Sequence, residues 1–260
     1  MMLYLLISIF IFCLTEVRAS DQCSVSITEV KESHERQRRL TYIQTKYNAK
    51  NIDEQQLQSG QNVLLSEACS KDDTATVNTI LATPNFKIST HIRGPVVFIA
   101  VNSENLPLLL LFLRYWHHNS AYVNDILRET IQRNKFSLTM GVLASKEWDM
   151  VNDKDKPSIL LELICFASKK GSLDVVKYCI LTPKISRQLP STVEDRWGVS
   201  GPLIFASSAG EIDTVKYLTS SEVPHNLRAS PTAVKNALSE AITGGHKVVI
   251  QYLRAMATLS

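Results

Sequence analysis

The chain has 260 residues, of which 45% are hydrophobic and 20% are charged, and its formal net charge is +3. This is ordinary globular composition, with enough apolar residues for a continuous core, so it excludes wholesale disorder. The positive excess is small and evenly spread, which excludes the basic face expected of a protein that binds nucleic acid.

The first nineteen residues resemble a secretory signal peptide. The run from Leu3 to Leu14 carries no charge, and Val17 and Ala19 occupy the positions that a signal peptidase reads. The run is too short to span a bilayer comfortably, and no Lys or Arg precedes it. We predict cleavage after Ala19 and export of the chain. The alternatives are an uncleaved membrane anchor or a buried N-terminal helix.

Residues 20–62 form a second segment with a different composition. Their Gln, Lys, Glu and Arg content favours helix, and Ile27, Val30, Tyr42, Ile43 and Tyr47 supply a thin apolar side. Terminal repeats of stacked folds need a polar outer face. We therefore predict a helical cap over the repeat that follows.

Residues 63–260 contain a repeated pattern. The segments Phe166–Tyr178 and Phe205–Tyr217 align without a gap and share Phe, Ala, Ser, Gly, Asp, Val, Lys and Tyr, and Glu240–Tyr252 is a third copy. With the alanine as anchor, three weaker copies appear upstream. The six anchors are Ala68, Ala100, Thr130, Ala167, Ala206 and Ala241.

The spacing around each anchor predicts a pair of helices joined by a tight turn. The positions three before, nine after and twelve after the anchor are apolar in seventeen of eighteen cases, the exception being Thr139. Small anchors allow two helices to cross closely. Four residues after the anchor, the chain should adopt the left-handed conformation that ends a helix, which glycine favours. The residues at that position are Asp72, Glu104, Asn134, Gly171, Gly210 and Gly245.

Three short strings carry a family resemblance. Pro202–Ala206, Gly210 and Val215–Leu218 resemble the ankyrin consensus Thr-Pro-Leu-His-X-Ala, Gly-His and Val-Val-X-Leu-Leu, and Gly245–His246 supplies its Gly-His pair. The resemblance implies an all-α, ankyrin-like solenoid of about six helix-hairpin repeats in residues 63–260. Its repeat-defining residues are Ala167, Gly171, Ala206, Gly210, Ala241 and Gly245. The longest insert, Leu181–Ser200, is predicted to be an irregular loop.

Ankyrin-type proteins generally bind through their loop tips and the concave face of their first helices. All three tryptophans lie at or between repeat ends, and Trp and Arg are enriched among interface hot spots. The predicted partner contacts are Trp116, Trp148, Arg196 and Trp197, with Arg114 close by. The alternative is that these rings pack the loops against the repeats.

The cysteines and histidines show no catalytic pattern. If Cys13 leaves with the signal peptide, Cys23, Cys69, Cys165 and Cys179 could form two disulfides. Three of these four fall on apolar helical faces, so buried thiols are expected. The sequence contains no phosphate-binding loop or metalloprotease motif. The adjacent His117 and His118 are expected to point to different sides of a helix, so we predict no metal site, catalytic residue or cofactor.

The sequence thus predicts a non-enzymatic, exported module that binds another protein and does not bind nucleic acid. An exported ankyrin protein is similar to the secreted effectors through which microbes engage host proteins. One alternative is a scaffold or inhibitor held on a membrane by an uncleaved N-terminal segment. Another is an enzyme with its site in the Leu181–Ser200 loop or the N-terminal segment.

Overall fold

The structure, a computed structural model, describes residues 27–48, 50, 53–189, 200–224 and 228–257. The predicted signal peptide lies outside these residues. Every regular element in the described ranges is helical and none of them contains a strand, which confirms the all-α class. The chain divides into two compact units, residues 1–57 and residues 58–260.

The first unit contains helix α1 (Ile27–Asn48) and the start of α2 (Glu54–Ser70). Helix α1 has the polar composition that the sequence indicates, with Arg36 and Glu32 forming an ion pair one turn apart at 3.7 Å. Helices thus occupy residues 27–48 and 54–62 of the segment predicted to be helical. The cap role remains a prediction.

Twelve of the described helices form six consecutive helix–turn–helix pairs. The first three pairs are α2 with α3 (Thr74–Leu81), α4 (Thr90–Asn102) with α5 (Leu106–Trp116), and α6 (Ser120–Gln132) with α7 (Phe136–Ala144). The last three are α9 (Lys156–Lys169) with α10 (Leu173–Leu181), α12 (Ser200–Ala209) with α13 (Ile212–Thr219), and α14 (Pro231–Thr243) with α15 (Lys247–Ala257). Two short helices, α8 (Lys146–Asp149) and α11 (Pro183–Ser186), follow the third and fourth pairs.

All six turns share one backbone geometry. The residue four after each anchor has a positive φ, and its N–H donates to the carbonyl one residue after the anchor at 3.0–3.3 Å. The next N–H donates to the anchor carbonyl at 2.8–3.0 Å. These two bonds define the Schellman ending of a helix. The predicted turn is confirmed at every position: Asp72 (φ 52°), Glu104 (54°), Asn134 (58°), Gly171 (67°), Gly210 (80°) and Gly245 (70°).

The core follows the register that the anchors set. All six anchors are fully buried, and so are nearly all residues three before, nine after and twelve after them. The two exceptions, Leu238 and Ile250, are half-buried and belong to the sixth pair. Burial at these positions joins the two helices of each pair to each other and to the next pair.

Successive pairs pack in two layers within residues 58–260. Among the first helices, α4 contacts α6, α6 contacts α9, α9 contacts α12 and α12 contacts α14. Among the second helices, α3 contacts α5 and the series continues through α7, α10 and α13 to α15. One pair cannot bury both of its apolar faces, so this neighbour-to-neighbour packing is what provides its core.

Neighbouring turns are also joined by polar contacts. At three of the five junctions the residue five after an anchor forms a hydrogen bond with the end of the preceding pair's first helix or with its turn. These contacts are Asn105 Nδ2 to Asp72 Oδ1 (3.2 Å), Lys135 Nζ to Glu104 Oε1 (2.5 Å) and His246 Nε2 to the Ser208 carbonyl (2.9 Å).

Two local expectations need adjustment. Ser172 occupies the N-cap position of α10, but its buried hydroxyl makes no capping bond. The insert predicted as an irregular loop contains helix α11 and ends where α12 begins at Ser200. Residues 190–199 of that insert lie outside the described ranges.

The third pair carries threonine at two core positions, Thr130 and Thr139. Thr130 Oγ1 donates to the Leu127 carbonyl at 2.7 Å and accepts from Thr139 Oγ1 at 2.7 Å. Both side chains are fully buried. The one polar exception in the apolar register therefore has a polar partner in the opposite helix.

Thr130→Val is expected to lower the free energy of unfolding by about 1–3 kcal/mol, because Thr139 loses its acceptor inside the core. The double variant Thr130→Val/Thr139→Val removes both hydroxyls and is expected to be more stable than Thr130→Val. Urea denaturation of the two variants measures the difference. A double variant less stable than the single one would show that the hydroxyl pair does not explain the burial of these residues.

Candidate protein-binding surface

Two of the predicted partner-contact residues are buried. Trp148, on α8, is fully enclosed, and its Nε1–H donates to Gln188 Oε1 at 3.1 Å. Trp116 is 7% exposed and its ring lies 5.4 Å from the ring of Phe112. A ring that its own chain buries has almost no surface for a partner. The alternative, that these rings pack the loops against the repeats, therefore describes Trp116 and Trp148. Arg196 and Trp197 lie outside the described residues, and their partner contact stays a prediction.

Arg114 forms an internal ion pair. Its Nη2 lies 2.6 Å from Glu147 Oε1, and the Glu147 side chain is only 7% exposed. The hydrogen bond from Arg114 is the main cause that lowers the pKa of Glu147 below its ordinary value, and desolvation opposes it. This pair links α5 to the short helix α8 and helps to hold Trp148 inside.

The Glu147 carboxylate is expected to make stability depend on pH. Because its pKa is lowered on folding, its contribution is present above the ordinary value of 4.5 and is lost as the pH falls through the folded pKa. The stability advantage of the wild type over Glu147→Gln should therefore shrink below that value. Denaturation of both proteins across this range measures it, with Arg114→Gln as a second way to remove the pair. If the wild type remains more stable than Glu147→Gln by the same amount at low pH, the Glu147 carboxylate is not the source of the pH dependence.

A groove of about 620 Å³ is lined by residues of the first helices α6, α9 and α12 and opens to solvent. Its volume is in the range of ligand-binding clefts. Helix α9 contributes residues three and four apart, which lie on one helix face. The lining residues are Arg128, Gln132, Ser158, Leu161, Glu162, Cys165, Phe166, Lys169, Lys170 and Phe205.

The floor of the groove is apolar. Leu161, Phe166 and Phe205 are half-buried, and Cys165 is 8% exposed. Desolvation raises the pKa of the Cys165 thiol to about 12, with a smaller contribution from the charge of Glu162. The thiol is therefore protonated near neutral pH and contributes an apolar surface rather than a nucleophile.

Cations lie over the aromatic part of the floor. The Arg128 guanidinium is 5.0 Å from the ring centroid of Phe166, and Lys170 Nζ is 6.0 Å from it. A second contact of this kind joins the end of α6 to α4, where the Arg133 guanidinium lies 4.3 Å from the ring centroid of Phe98. Such contacts are favourable and hold the cations beside the rings.

The rim of the groove is mainly basic. Arg128, Lys169 and Lys170 are exposed, and no carboxylate of the described residues forms an ion pair with them. The one acidic lining residue, Glu162, accepts a hydrogen bond from Asn124 Nδ2. The groove therefore combines an apolar floor with positive charge that no carboxylate of the described residues pairs.

The remaining chemical candidates are dispersed. Cys69, Cys165 and Cys179 are buried free thiols, as expected, and Cys23 lies outside the described residues. The rings of His117 and His118 lie 3.5 Å apart, so the expectation that they diverge is wrong, because His117 already stands at the end of α5. Within the described ranges no three His, Cys, Asp or Glu residues are grouped as metal ligands.

The described helices include none that is long and apolar enough to cross a membrane. Comparisons of the chain with protein-family models, with curated proteins and with solved structures find no match. The ankyrin resemblance therefore rests on the residues and geometry of this chain alone.

Proposed function

We propose that residues 58–260 form an ankyrin-like solenoid that binds another protein through the solvent-exposed face of its first helices, without catalysis. The observation that carries this proposal is the basic, aromatic-floored groove that α6, α9 and α12 form together. A groove shared by three helix pairs exists only because the pairs stack. Solenoid folds generally use such extended surfaces for recognition.

Two further features support the solenoid. The same Schellman turn recurs in all six helix pairs, although the residue at its left-handed position varies. Second helices contact second helices through all six pairs, and first helices contact first helices from the second pair onward. Neither feature requires the full ankyrin consensus, since both follow from the small anchor and the apolar register.

Affinity capture with the full chain tests the proposed face. Phe98→Ala/Phe166→Ala truncates two aromatic residues of the first helices, and it is expected to abolish capture of the natural partner. Leu181→Ala/Val248→Ala is the matched control, because it truncates two residues of the second helices that are 52% and 62% exposed. Thermal unfolding should show that all variants are folded. Capture that survives the first change, or fails with the second, would contradict the proposed face.

We further propose that the chain is exported, as an effector that acts on a protein of another cell. This part rests on the signal-like sequence of residues 1–19. Sequencing the N-terminus of the natural protein separates it from the membrane-anchored alternative. A start at Ser20 in the exported fraction would support export, and an intact Met1 in the membrane fraction would contradict it.

A further inference from the structure

The groove on α6, α9 and α12 has features that indicate the chemistry of its occupant. We infer that it takes an extended peptide segment in which a large apolar side chain is flanked by carboxylates. This inference rests on the proposed function and names the class of segment that the partner presents. It uses the apolar floor, the exposed cations of the rim and the position of Glu162.

The floor fits one large apolar side chain. Leu161 and Phe166 lie on α9, and Phe205 faces them from α12, so three side chains from two helices line the same depression. All three are half-buried, and Leu161 and Phe166 keep apolar surface that an occupant could bury. Apolar anchors inserted into such depressions provide most of the binding free energy in protein interfaces. A polar side chain there would lose its water without gaining a hydrogen-bond partner from these residues.

The basic rim is not a requirement of the helix pair. Lys169 and Lys170 stand two and three residues after their anchor, where the other pairs carry at most one basic residue. In the neighbouring pair that residue is Arg133, and it is already paired with Glu129 at 2.9 Å. Two adjacent lysines together with Arg128 are therefore a local feature of the groove, suited to carboxylates of a partner.

The charge distribution favours a short acidic segment over a continuous polyanion. Glu162 lines the same groove about two helical turns before Lys169, so negative charge lies away from the lysine end of the α9 face. A polynucleotide crossing the groove would meet this carboxylate, whereas a peptide can place its acidic residues at the lysine end only. The net charge of +3 likewise supplies no extended basic track.

Phage display tests this inference. A random peptide library is selected for binding to the immobilised full chain. The expected result is enrichment of peptides with a large apolar residue next to two or more Asp or Glu residues. A synthetic peptide of the enriched sequence is then titrated by fluorescence anisotropy. Raising the ionic strength should weaken its binding, because the rim charges are exposed.

Charge-reversal variants show whether the selected peptide binds at the lysine end of the groove. Lys169→Glu/Lys170→Glu is expected to weaken binding by about tenfold or more, and Lys169→Arg/Lys170→Arg by less than about twofold. The matched control is Lys216→Glu/Lys247→Glu, which makes the same charge change on exposed residues of second helices and should leave binding within about twofold. Phe166→Ala should weaken binding at unchanged salt dependence.

Three results would overturn the inference. Enriched peptides could lack carboxylates or an apolar residue, or the selected peptide could bind Lys169→Glu/Lys170→Glu as well as the wild type. A concentration-dependent dimer that Phe166→Ala abolishes would assign the groove to a second copy of the chain. In the first two cases the proposed function stands if partner capture still depends on Phe98 and Phe166. If capture is independent of both residues, the proposed function fails as well.

Discussion

Replacing Trp148 with alanine is expected to lower the free energy of unfolding by about 3–5 kcal/mol, the range for loss of a large aromatic core residue. The Trp148 ring is fully buried, and its Nε1–H donates to Gln188. Alanine leaves a cavity between α8 and its neighbours and removes the donor that satisfies the Gln188 amide. Urea denaturation of the purified chain measures the change.

The control for this prediction lies two residues away. Met150 is 46% exposed, so Met150→Ala should change the free energy of unfolding by no more than about 0.5 kcal/mol. The outcome also decides between the two interpretations of Trp148. A variant that keeps nearly full stability and loses its partner would support direct contact and contradict the burial of this ring.

Replacing Gly210 with alanine is expected to lower the free energy of unfolding by roughly 2–4 kcal/mol, through two separate effects. The φ of +80° lies in the region that L-residues disfavour, and an added Cβ would lie 2.5 Å from Nδ1 of His246. The imidazole cannot move away freely, since its Nε2–H donates to the Ser208 carbonyl. Chemical denaturation of the variant measures the combined loss.

A second glycine separates these effects. Gly245 has a φ of +70° with no atom within 4 Å of an added Cβ, so Gly245→Ala should cost only about 1–2 kcal/mol, from backbone strain. Adding His246→Ala to Gly210→Ala should recover part of the loss. If Gly210→Ala and Gly245→Ala lose the same free energy of unfolding, the His246 imidazole can move away from the added Cβ without a loss of stability.

The helix pairs could be predicted from the sequence because their rules are local. A small anchor, an apolar stripe on each side and a residue that tolerates positive φ are all read within one repeat, and they locate each turn from Asp72 to Gly245. Even Glu104, which adopts this conformation at a cost, follows the register. The same alignment places Thr130 and Thr139 at core positions, but the hydrogen bond between them is visible only in the structure.

The sites that the sequence did not reveal depend on contacts between elements. Trp148 is buried because the short helix α8, which has no counterpart in the alignment, turns it inward. The groove needs three stacked first helices, so no single repeat contains it. One signal was present: Phe166 and Phe205 occupy the same position in the two best-matched copies, one residue before the anchor. Stacking brings such positions together, so their shared aromatic residue indicates a common surface.

Hydrogen–deuterium exchange on the full chain, with and without the captured partner, tests the central claim most directly. Binding through the first helices predicts slower exchange in peptides that cover α6, α9 and α12, with the largest change around Phe166 and Lys170. Peptides of the second helices α7, α10 and α13 should change little. Protection confined to those second helices, with none on α9, would contradict binding through the first-helix face.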